Sequence, residues 1–268
     1  MSLVPEKSDL FKSVAEFTIV SPIGKGGYST VYLVEHKASR KRYALKCCER
    51  MKKNRDRSDK SYQEIAVLQK LKHPHVISIK GWFEDDTTIF ILLPYISGKD
   101  LAKTFKQTLP DHRELKRILK QLISAVQYLH DNNVVHRDIK LENILIDSKG
   151  NIKLTDFGLC GIKKDKYDMF DQRLGTIRYS APELLRGEKY NDSVDIWGIG
   201  ICFFMLLTGK FPFDGSNKEN ITRRILEKTL HYSKYELDKS EVRLLRALLQ
   251  KDPEKRVEIE EILEFSYF

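Results

Sequence analysis

The chain has 268 residues, and its 47 Lys and Arg against 38 Asp and Glu leave a formal net charge of +9. Its hydrophobic fraction of 41% and charged fraction of 32% are typical of a folded globular protein and exclude intrinsic disorder. This length allows one large domain or two modest ones, each with a proper core. The excess of basic residues predicts an anionic partner: a nucleic acid, a membrane surface or a phosphorylated ligand.

Cysteine usage and the apolar stretches narrow the class of protein further. The four cysteines form no CxxC pair, so neither a disulfide framework nor a zinc site is expected. The N-terminal residues MSLVPEKSDLFKS contain no apolar core of signal-peptide length. The longest apolar run, residues 196–207, is too short to span a bilayer and is predicted to form a buried helix. We therefore expect no membrane association and an intracellular location, either cytoplasmic or nuclear.

The first third of the chain has the pattern of β-strands. Runs of β-branched and aromatic residues, separated by Gly-Lys and Ser-Arg turns, predict an antiparallel meander. Ile65, Leu68 and Leu71 recur at helical spacing, which predicts a helix that ends before His73-Pro74. The strands expected around this helix are residues 17–20, 31–34, 42–46, 77–79 and 88–93.

After Pro94 the pattern becomes mainly helical. Residues 115–130 form an amphipathic helix by their spacing, and residues 144–146 and 152–154 look like short strands. A β-rich front joined to an α-rich back predicts two lobes with a connection near residues 93–98. The basic cluster between Arg50 and Lys60 is expected to lie in a solvated loop.

A glycine-rich segment, Gly24-Lys-Gly-Gly-Tyr-Ser-Thr-Val31, lies between the first two predicted strands. Glycine has no Cβ, so backbone N–H groups in such a segment can approach a phosphate chain closely. Taken alone, the segment fits an ordinary hairpin turn equally well. It is not followed by the helix that a Rossmann or Walker-type loop requires, so those two classes of site are excluded.

Further motifs follow in a fixed order. Lys46 ends the third predicted strand, although a lysine there could equally be a surface residue, and Glu64 lies in the next helix. Later come His136-Arg-Asp138-Ile-Lys140-Leu-Glu-Asn143, Asp156-Phe-Gly158, Ala181-Pro-Glu183 and Asp195-Ile-Trp197-Gly198. With these motifs in this order, the sequence resembles the eukaryotic protein kinase family over residues 17–268.

The resemblance implies an α+β, bilobal protein kinase fold. Residues 1–16 would form an N-terminal extension and residues 17–268 the kinase domain. Within that domain, a β-rich N-lobe with one helix would cover about residues 17–95, and a mainly helical C-lobe would cover about residues 96–268. The implied activity is transfer of the γ-phosphoryl group of ATP to Ser or Thr hydroxyls of protein substrates, with Mg²⁺.

The resemblance also assigns roles to individual residues. Asp138 would orient the substrate hydroxyl and accept its proton, and Lys140 would neutralise the transferring phosphoryl group. Asn143 and Asp156 would bind Mg²⁺, and Lys46 would hold the ATP phosphates. The residues expected to form the ATP site are Ile23, Gly24, Lys25, Gly26, Gly27, Tyr28, Ser29, Val31, Ala44, Lys46, Glu64, Pro94, Ile96, Asp100, Leu145 and Asp156.

The adenine contacts follow from the same alignment. Leu93 resembles the gatekeeper residue, and Pro94 stands where most relatives have an acidic residue. Proline keeps its carbonyl acceptor and lacks only a donor, so adenine would bond to the Pro94 carbonyl and the Ile96 N–H. Asp100 would contact the ribose.

Other motif residues have expected structural roles. Lys140 and Thr176 are typical of the Ser/Thr-specific class. Glu183 and Arg256 resemble a buried ion pair, and Asp195 resembles the acid that braces the catalytic loop. An apolar stack that links the lobes would consist of Leu68, His136 and Phe157.

The segment 159–174, called the activation segment below, departs from the family pattern because it contains neither Ser nor Thr. Many relatives with an Arg before the catalytic Asp, as Arg137 is here, pair it with a phosphothreonine in this segment. Gln172 stands at the usual position of that residue. We hypothesise that activity does not require phosphorylation of this segment and that Asp171 or Asp168 partly substitutes for the phosphate.

Two alternatives compete with an active kinase. A pseudokinase would bind ATP or partners without phosphotransfer, but Lys46, Asp138, Asn143 and Asp156 together disfavour it. A basic nucleic-acid-binding protein would need basic and aromatic residues clustered on one element, which the sequence does not show. Local resemblance to polo-like, Aurora and AMPK-related kinases suggests a role in cell-cycle or mitotic control. A regulatory or activating protein is an expected partner besides the protein substrates.

Overall fold

The computed structural model describes residues 11–26, 29–50, 60–165 and 167–268. The chain divides after Ser97 into two compact units. The first unit is built on a β-sheet and the second is mainly helical, so the α+β class predicted from the sequence is confirmed. Most of the basic cluster, at residues 51–59, lies outside the described residues.

The N-terminal unit contains a five-stranded sheet in the order β1-β2-β3-β5-β4, with antiparallel neighbours. One helix, α1, lies in the chain between β3 and β4. The bounds of these elements are Phe17–Lys25 (β1), Ser29–His36 (β2), Arg42–Glu49 (β3), Lys60–Lys70 (α1), Gly81–Glu84 (β4) and Thr88–Pro94 (β5). The predicted meander and the helix ending before His73 are therefore confirmed.

The two faces of this sheet bury different apolar clusters, because successive side chains of a strand point to opposite faces. One cluster contains Leu45 and five further residues, namely Phe17, Val34, Phe83, Phe90 and Leu92. The other contains Cys48, Ile89 and Ile91 of the strands and is joined by Tyr62 and Ile65 of α1. The alternation of the sequence thus fixes which face of β3 carries the helix.

The predicted strand at residues 77–79 is wrong. The strand that pairs with β5 is β4, whose residues Gly81–Glu84 lie opposite residues 89–92. Val76 and Ile77 are each 2% exposed without belonging to a strand. Their apolar character reflects burial in the core, which does not require strand pairing.

The C-terminal unit consists mainly of helices, with two small antiparallel sheets. Its helices are Leu101–Thr104 (α2), His112–Asp131 (α3), Pro182–Arg186 (α4), Ser193–Thr208 (α5), Lys218–Glu227 (α6) and Lys239–Leu248 (α7). Its strands are Gly98–Asp100 (β6), Val134–Val135 (β7), Ile144–Asp147 (β8), Ile152–Leu154 (β9) and Gly161–Ile162 (β10). Short 3₁₀ turns at Leu141–Asn143 and Ile177–Tyr179 lie in the loops between them.

Helix α5 is the core helix that the apolar run at residues 196–207 predicted. Most of its residues are buried, including Trp197 and Phe203 at 0% exposure. Gly198 lets the helix approach the loop that carries the motif residues, because a Cβ there would lie 2.8 Å from the Cβ of Ile139. Among the described helices, none is long and apolar enough to cross a membrane.

Candidate active site

In the N-terminal unit, a lysine of the sheet and a glutamate of the helix form a buried pair. Lys46 in β3 is 8% exposed and Glu64 in α1 is 2% exposed. The Lys46 Nζ lies 2.8 Å from each carboxylate oxygen of Glu64. Removing two charges from water is costly unless they are paired and hydrogen-bonded, so the bidentate contact ties the position of α1 to the sheet.

Several side chains predicted for the ATP site lie on the same face of the sheet as this lysine. Val31 lies opposite Lys46 across β2 and β3, and Ala44 lies opposite both Leu33 and Leu93 on its two neighbouring strands. Residues two apart on a strand share a face, so Ala44 and Lys46 point the same way. The structure thus places Val31, Ala44 and Lys46, together with the gatekeeper Leu93, on one face of the sheet.

The glycine-rich segment joins β1 to β2 within the same sheet. Gly24 lies opposite Val31 and has room for a side chain, since a Cβ there would lie 3.6 Å from the Cβ of Val31. Neither Gly24 nor Gly26 has a positive φ. The described backbone therefore does not itself require glycine at these two positions, and the prediction that they admit a phosphate chain stays a prediction.

The other residues predicted for this segment have varied placements. Ile23 and Lys25 belong to β1, where Ile23 is 40% exposed, and Ser29 begins β2. The Gly26 N–H donates a hydrogen bond to the Ser29 carbonyl at 2.7 Å, which closes the turn. Gly27 and Tyr28 lie outside the described residues.

The predicted hinge follows the last strand of the sheet. Pro94 ends β5 and lies opposite Tyr43. In the part of the chain that the structure describes, the N–H of Ile96 donates to no backbone or side-chain acceptor. A free backbone donor at this position is what the predicted adenine contact requires.

In the C-terminal unit, the catalytic loop, defined here as residues 136–143, gathers a lysine and an amide around Asp138. The Asp138 Oδ2 accepts from the Lys140 Nζ at 2.5 Å and from the Asn143 Nδ2 at 3.1 Å. Thr176 adds a third donor, because its Oγ1 lies 3.1 Å from the Asp138 Oδ1 and 3.1 Å from the Lys140 Nζ. Asp138 is 6% exposed, so its carboxylate is held in one orientation.

The backbone of the catalytic loop is held by Asp195 of α5. Its two carboxylate oxygens accept from the N–H groups of His136 and Arg137, each at 2.8 Å. The His130 Nε2 lies 3.0 Å from the Asp195 Oδ2. Arg137 has a φ of +66°, a strained backbone state that persists only where the surroundings impose it. The predicted bracing role of Asp195 is therefore confirmed.

The protonation state of Asp195 follows from these contacts. Burial alone would raise its pKa, but the hydrogen bond and charge of His130 outweigh burial, together with His136, so that the pKa lies below its ordinary value of 3.8. Asp195 thus remains a carboxylate at neutral pH and accepts from both N–H groups.

The donor set expected for a divalent metal fits a hard cation. The Asn143 Nδ2 donates to both the carbonyl and the carboxylate of Asp138. Among the described residues nothing donates to the Asn143 Oδ1, which leaves an amide oxygen for a metal. Asp156 is exposed and has a φ of +64°. Amide and carboxylate oxygens suit Mg²⁺, which keeps several of its waters and takes few protein ligands.

A hydrogen-bonded link sets Asn143 beside the strand end that carries Asp156. The Thr155 N–H and Oγ1 both donate to the Asn143 carbonyl, at 2.9 and 3.0 Å. The His136 Nε2 lies 3.0 Å from the Thr155 carbonyl, and its ring packs edge-on against Phe157 at 5.0 Å between centroids. The His136–Phe157 part of the predicted apolar stack is therefore present. Leu68 is buried in α1, in the other unit.

Asp100 and Leu145 are direct cross-strand neighbours on β6 and β8. Asp100 also caps α2: its Oδ1 accepts from the Lys103 N–H at 2.8 Å, and its Oδ2 pairs with the Lys103 Nζ at 2.8 Å. The carboxylate of Asp100, which is predicted to contact the ribose, thus also caps α2. Leu145 is half-buried beside it.

The predicted ion pair of Glu183 and Arg256 is confirmed. The Arg256 guanidinium makes two parallel bonds to the carboxylate, of 2.7 and 3.0 Å, and both residues are at most 5% exposed. The Arg256 Nη1 also donates to the Ser193 carbonyl at 2.9 Å. The pair joins α4 to the segment after α7, and the bond to Ser193 adds the start of α5, so its role is structural.

The hypothesis that Asp171 or Asp168 substitutes for a phosphate is wrong in its choice of residues. Among the described residues, no carboxylate pairs with Arg137. Its guanidinium donates instead to neutral oxygens and lies over the ring of Phe170, with 4.7 Å between Cζ and the ring centroid. The acceptors are Leu159 O at 2.7 Å, Cys160 O at 2.8 Å, Gln172 Oε1 at 3.3 Å and Tyr190 OH at 3.4 Å.

Several of these residues were not singled out by the sequence. His130, Thr155, Phe170 and Tyr190 carry no motif, and their partners lie far along the chain; His130 and Asp195 are 65 positions apart. A histidine in the last turn of an amphipathic helix is the one local signal that could have marked His130. Nothing in the spacing of Phe170 or Tyr190 indicates their contacts with Arg137.

Comparison with known proteins agrees with this geometry. The family profile described as "Protein kinase domain" matches residues 17–268. Serine/threonine-protein kinase Nek6 of Oryza sativa subsp. japonica is 32% identical over 256 residues, which cover 94% of this chain and 48% of that protein. Aurora kinase of Eremothecium gossypii is 33% identical over 251 residues, which cover 93% of this chain and 68% of that protein.

A third relative shows how much of such proteins the match leaves uncovered. Protein kinase C-like 2 of Schizosaccharomyces pombe is 32% identical over 251 residues, covering 90% of this chain but 24% of that protein. The chain spans about half the length of the Nek6 relative. The family match nevertheless extends from the first residue of β1 through both units. The chain therefore belongs to the eukaryotic protein kinase family, in its Ser/Thr-specific branch.

Proposed function

We propose that this chain is an active protein kinase that transfers the γ-phosphoryl group of ATP to Ser and Thr hydroxyls of protein substrates. The observation that carries the proposal is the cluster in which Lys140, Asn143 and Thr176 all contact the carboxylate of Asp138. A buried carboxylate held by two donors of its own loop and by Thr176 has the fixed orientation that a base needs to accept the proton of a hydroxyl. Among the described residues, no donor contacts the Asn143 Oδ1, so this oxygen is available to a metal.

The chemistry assigned to these residues is mainly positioning and charge stabilisation. Asp138 orients the acceptor hydroxyl and takes its proton as the new P–O bond forms, while the bond from the γ-phosphorus to the bridging oxygen breaks and ADP leaves. The Lys140 ammonium, beside Asp138, lowers the energy of the negative charge on the phosphoryl oxygens in transit. Lys46, which Glu64 fixes in the other unit, holds the α- and β-phosphates. Mg²⁺ held by Asn143 and Asp156 would neutralise the phosphate oxygens.

The nucleotide is proposed to lie along the sheet face that carries Val31, Ala44 and Lys46. The free N–H of Ile96 is the donor for the adenine, and the Pro94 carbonyl is the acceptor. Because proline lacks an N–H, the hinge of this chain offers adenine one donor and one acceptor.

The test is a radiolabel assay on the full chain with γ-labelled ATP, Mg²⁺ and peptide libraries that carry a Ser, Thr or Tyr acceptor. We expect label on the Ser and Thr libraries and a loss of more than about 100-fold in Asp156→Ala. Asp131→Ala, an exposed carboxylate at the end of α3, is the matched control and should transfer at the wild-type rate. ATP binding without transfer by the wild-type chain would instead identify a pseudokinase, and label on the Tyr library alone would contradict the Ser/Thr assignment.

We further propose that the protein acts inside the cell, in the cytoplasm or nucleus, in cell-cycle or mitotic control and with a regulatory protein partner. The support is the local resemblance to polo-like and Aurora kinases, together with the 33% identity to an Aurora kinase. The peptide libraries identify the substrate preference. Selective inhibition in cells that carry the gene should then raise the fraction of cells arrested at one stage of division; an unchanged distribution of stages contradicts the cell-cycle proposal.

A further inference from the structure

The guanidinium of Arg137 is a buried cation, and no carboxylate of the described residues forms an ion pair with it. Arg137 is 8% exposed, and it directly precedes Asp138. Leaving such a charge unpaired is costly, yet here every contact is neutral: two backbone carbonyls, the Gln172 amide, the Tyr190 hydroxyl and the ring of Phe170. Residues of the activation segment thus contact the guanidinium through neutral groups, without a phosphate.

Phe170 and Tyr190 are joined to each other as well as to Arg137. Their backbones form an isolated antiparallel bridge, with Phe170 N to Tyr190 O at 2.8 Å and Tyr190 N to Phe170 O at 2.9 Å. Their rings lie 5.7 Å apart between centroids. The Tyr190 hydroxyl donates to the Gln172 carbonyl at 2.8 Å. This bridge anchors the middle of the activation segment to the chain just before α5.

Gly161 shows how closely the ring of Phe170 is seated. A Cβ at Gly161 would lie 2.5 Å from a ring carbon of Phe170 and 3.0 Å from the Arg137 Cζ. Gly161 belongs to β10, which pairs with β7, the strand that leads into the catalytic loop. The Phe170 ring and the Arg137 guanidinium therefore pack so closely against β10 that position 161 has no room for a side chain.

We propose that Phe170 and Tyr190 are positioning residues that hold Arg137, and through it Asp138, in the catalytic arrangement without phosphorylation of the activation segment. The inference rests on the proposed kinase function and deepens its regulation. The face of an aromatic ring attracts a cation most strongly where water is excluded, as it is around Arg137. The bridge keeps that ring in place, since it fixes the backbone on both sides of the contact.

The role predicts a loss of turnover rather than of nucleotide binding. Phe170→Leu keeps the apolar bulk beside Gly161 but removes the aromatic face, and we expect kcat to fall about tenfold, with the KM for ATP changed less than about twofold. Tyr190→Phe keeps the ring and the backbone bridge but removes the hydroxyl, and we expect kcat to fall about threefold. Met169→Ala, at an exposed neighbouring position, is the matched control and should match the wild type.

A charge-rescue variant separates a positioning role from a merely structural one. The Gln172 Oε1 lies 3.3 Å from the Arg137 Nη1, so Gln172→Glu places a carboxylate of the same shape beside the guanidinium. In the Phe170→Leu background this second change should restore most of the lost kcat, because the new charge replaces the lost ring. A role of Phe170 in packing alone would not respond to that charge.

The assays use the full chain after phosphatase treatment, with melting temperatures measured for every variant. Wild-type turnover that is unchanged by phosphatase, a fall in Phe170→Leu and its rescue by Gln172→Glu support the inference. Turnover of Phe170→Leu equal to wild type, a loss that Gln172→Glu does not rescue, or a strict need for phosphorylated Tyr167 or Thr176 overturns it. A wild-type chain that binds ATP but never transfers phosphate refutes the proposed function itself, which is a distinguishable result.

Discussion

Two lysine–carboxylate pairs, one in each unit, are built in different ways. Lys46 and Glu64 join a strand to a helix across 18 positions of the chain, in a bidentate contact with 2.8 Å to both oxygens. Lys140 and Asp138 lie two positions apart on one loop and share their contact with Asn143 and Thr176. The first pair depends on where a helix packs, and the second on the shape of a loop.

The difference shows which parts of the molecule can disturb each pair. In the N-terminal unit, the position of Glu64 depends on the packing of α1, in which Tyr62 meets Trp82 edge-on at 5.7 Å between centroids. In the C-terminal unit, Asp195 accepts hydrogen bonds from the backbone of the catalytic loop, and the ring of Phe170 lies against the Arg137 guanidinium. Variants that target these supports should therefore affect stability and turnover in different proportions.

The largest effect is expected from Asp195→Asn, which weakens the support of the catalytic loop. An amide cannot accept from both N–H groups as a carboxylate does, so the variant should lose about 3 kcal/mol of stability at pH 7. Because the pKa of Asp195 is lowered in the folded state, this stabilisation is present above the ordinary value and is lost as pH falls through the lower folded value.

Melting temperatures of the wild type and Asp195→Asn, measured between pH 7 and pH 3, check this prediction. The gap should stay constant down to about pH 5 and narrow as the pH falls below 3.8, the ordinary pKa. A gap that is absent at pH 7, or that persists unchanged in acid, would show that the carboxylate does not support the loop in this way.

A smaller effect is expected from Glu64→Gln, which leaves the buried Lys46 without its counter-charge but keeps one acceptor oxygen. The second-order rate constant kcat/KM should fall about 30-fold, equivalent to about 2 kcal/mol. Asp86→Asn removes an exposed carboxylate of the same unit and is the control. Steady-state kinetics at saturating metal decide the matter: a variant as active as the control means that the pair has no part in catalysis.

Of the variants at Asp195, Glu64 and Thr176, the smallest effect is expected at the last. Thr176 follows the activation segment and contacts both Lys140 and Asp138. Thr176→Val removes the hydroxyl that lies 3.1 Å from both charged groups, and we expect kcat to fall about tenfold. Thr176→Ser keeps the hydroxyl and should stay within about threefold of the wild type. Equal kcat values for the Val and Ser variants would contradict a role of that hydrogen bond.

The sequence predicts those parts of this architecture that depend on local spacing. Runs of β-branched and aromatic residues located β1, β2, β3 and β5, and the contacts among Asp138, Lys140 and Asn143 fall within a single loop. The strand predicted at residues 77–79 failed because Ile77 is apolar for burial and not for strand pairing. Apolar pattern alone does not distinguish those two causes.

Contacts between distant segments could not be predicted from spacing, and the contacts of Glu183 with Arg256 and of Asp195 with the catalytic loop were expected only from the family resemblance. Arg137 and Tyr190 are 53 positions apart, and Thr176 and Asp138 are 38 positions apart. The sequence showed that the activation segment lacks Ser and Thr, and an acidic substitute was the natural hypothesis for a cation. The aromatic ring of Phe170 fills that role instead, because the bridge to Tyr190 places it over the guanidinium, and no spacing rule predicts such a bridge.

Single-turnover phosphoryl transfer by Asp138→Asn, together with the affinity of the variant for ATP, tests the central claim most directly. Asp138 is assigned to the acceptor hydroxyl and Lys46 to the nucleotide, so ATP affinity should stay within about twofold of the wild type while transfer slows by about 10³-fold. Transfer at the wild-type rate by a variant that binds ATP normally would contradict the assignment of this carboxylate and of the loop that holds it.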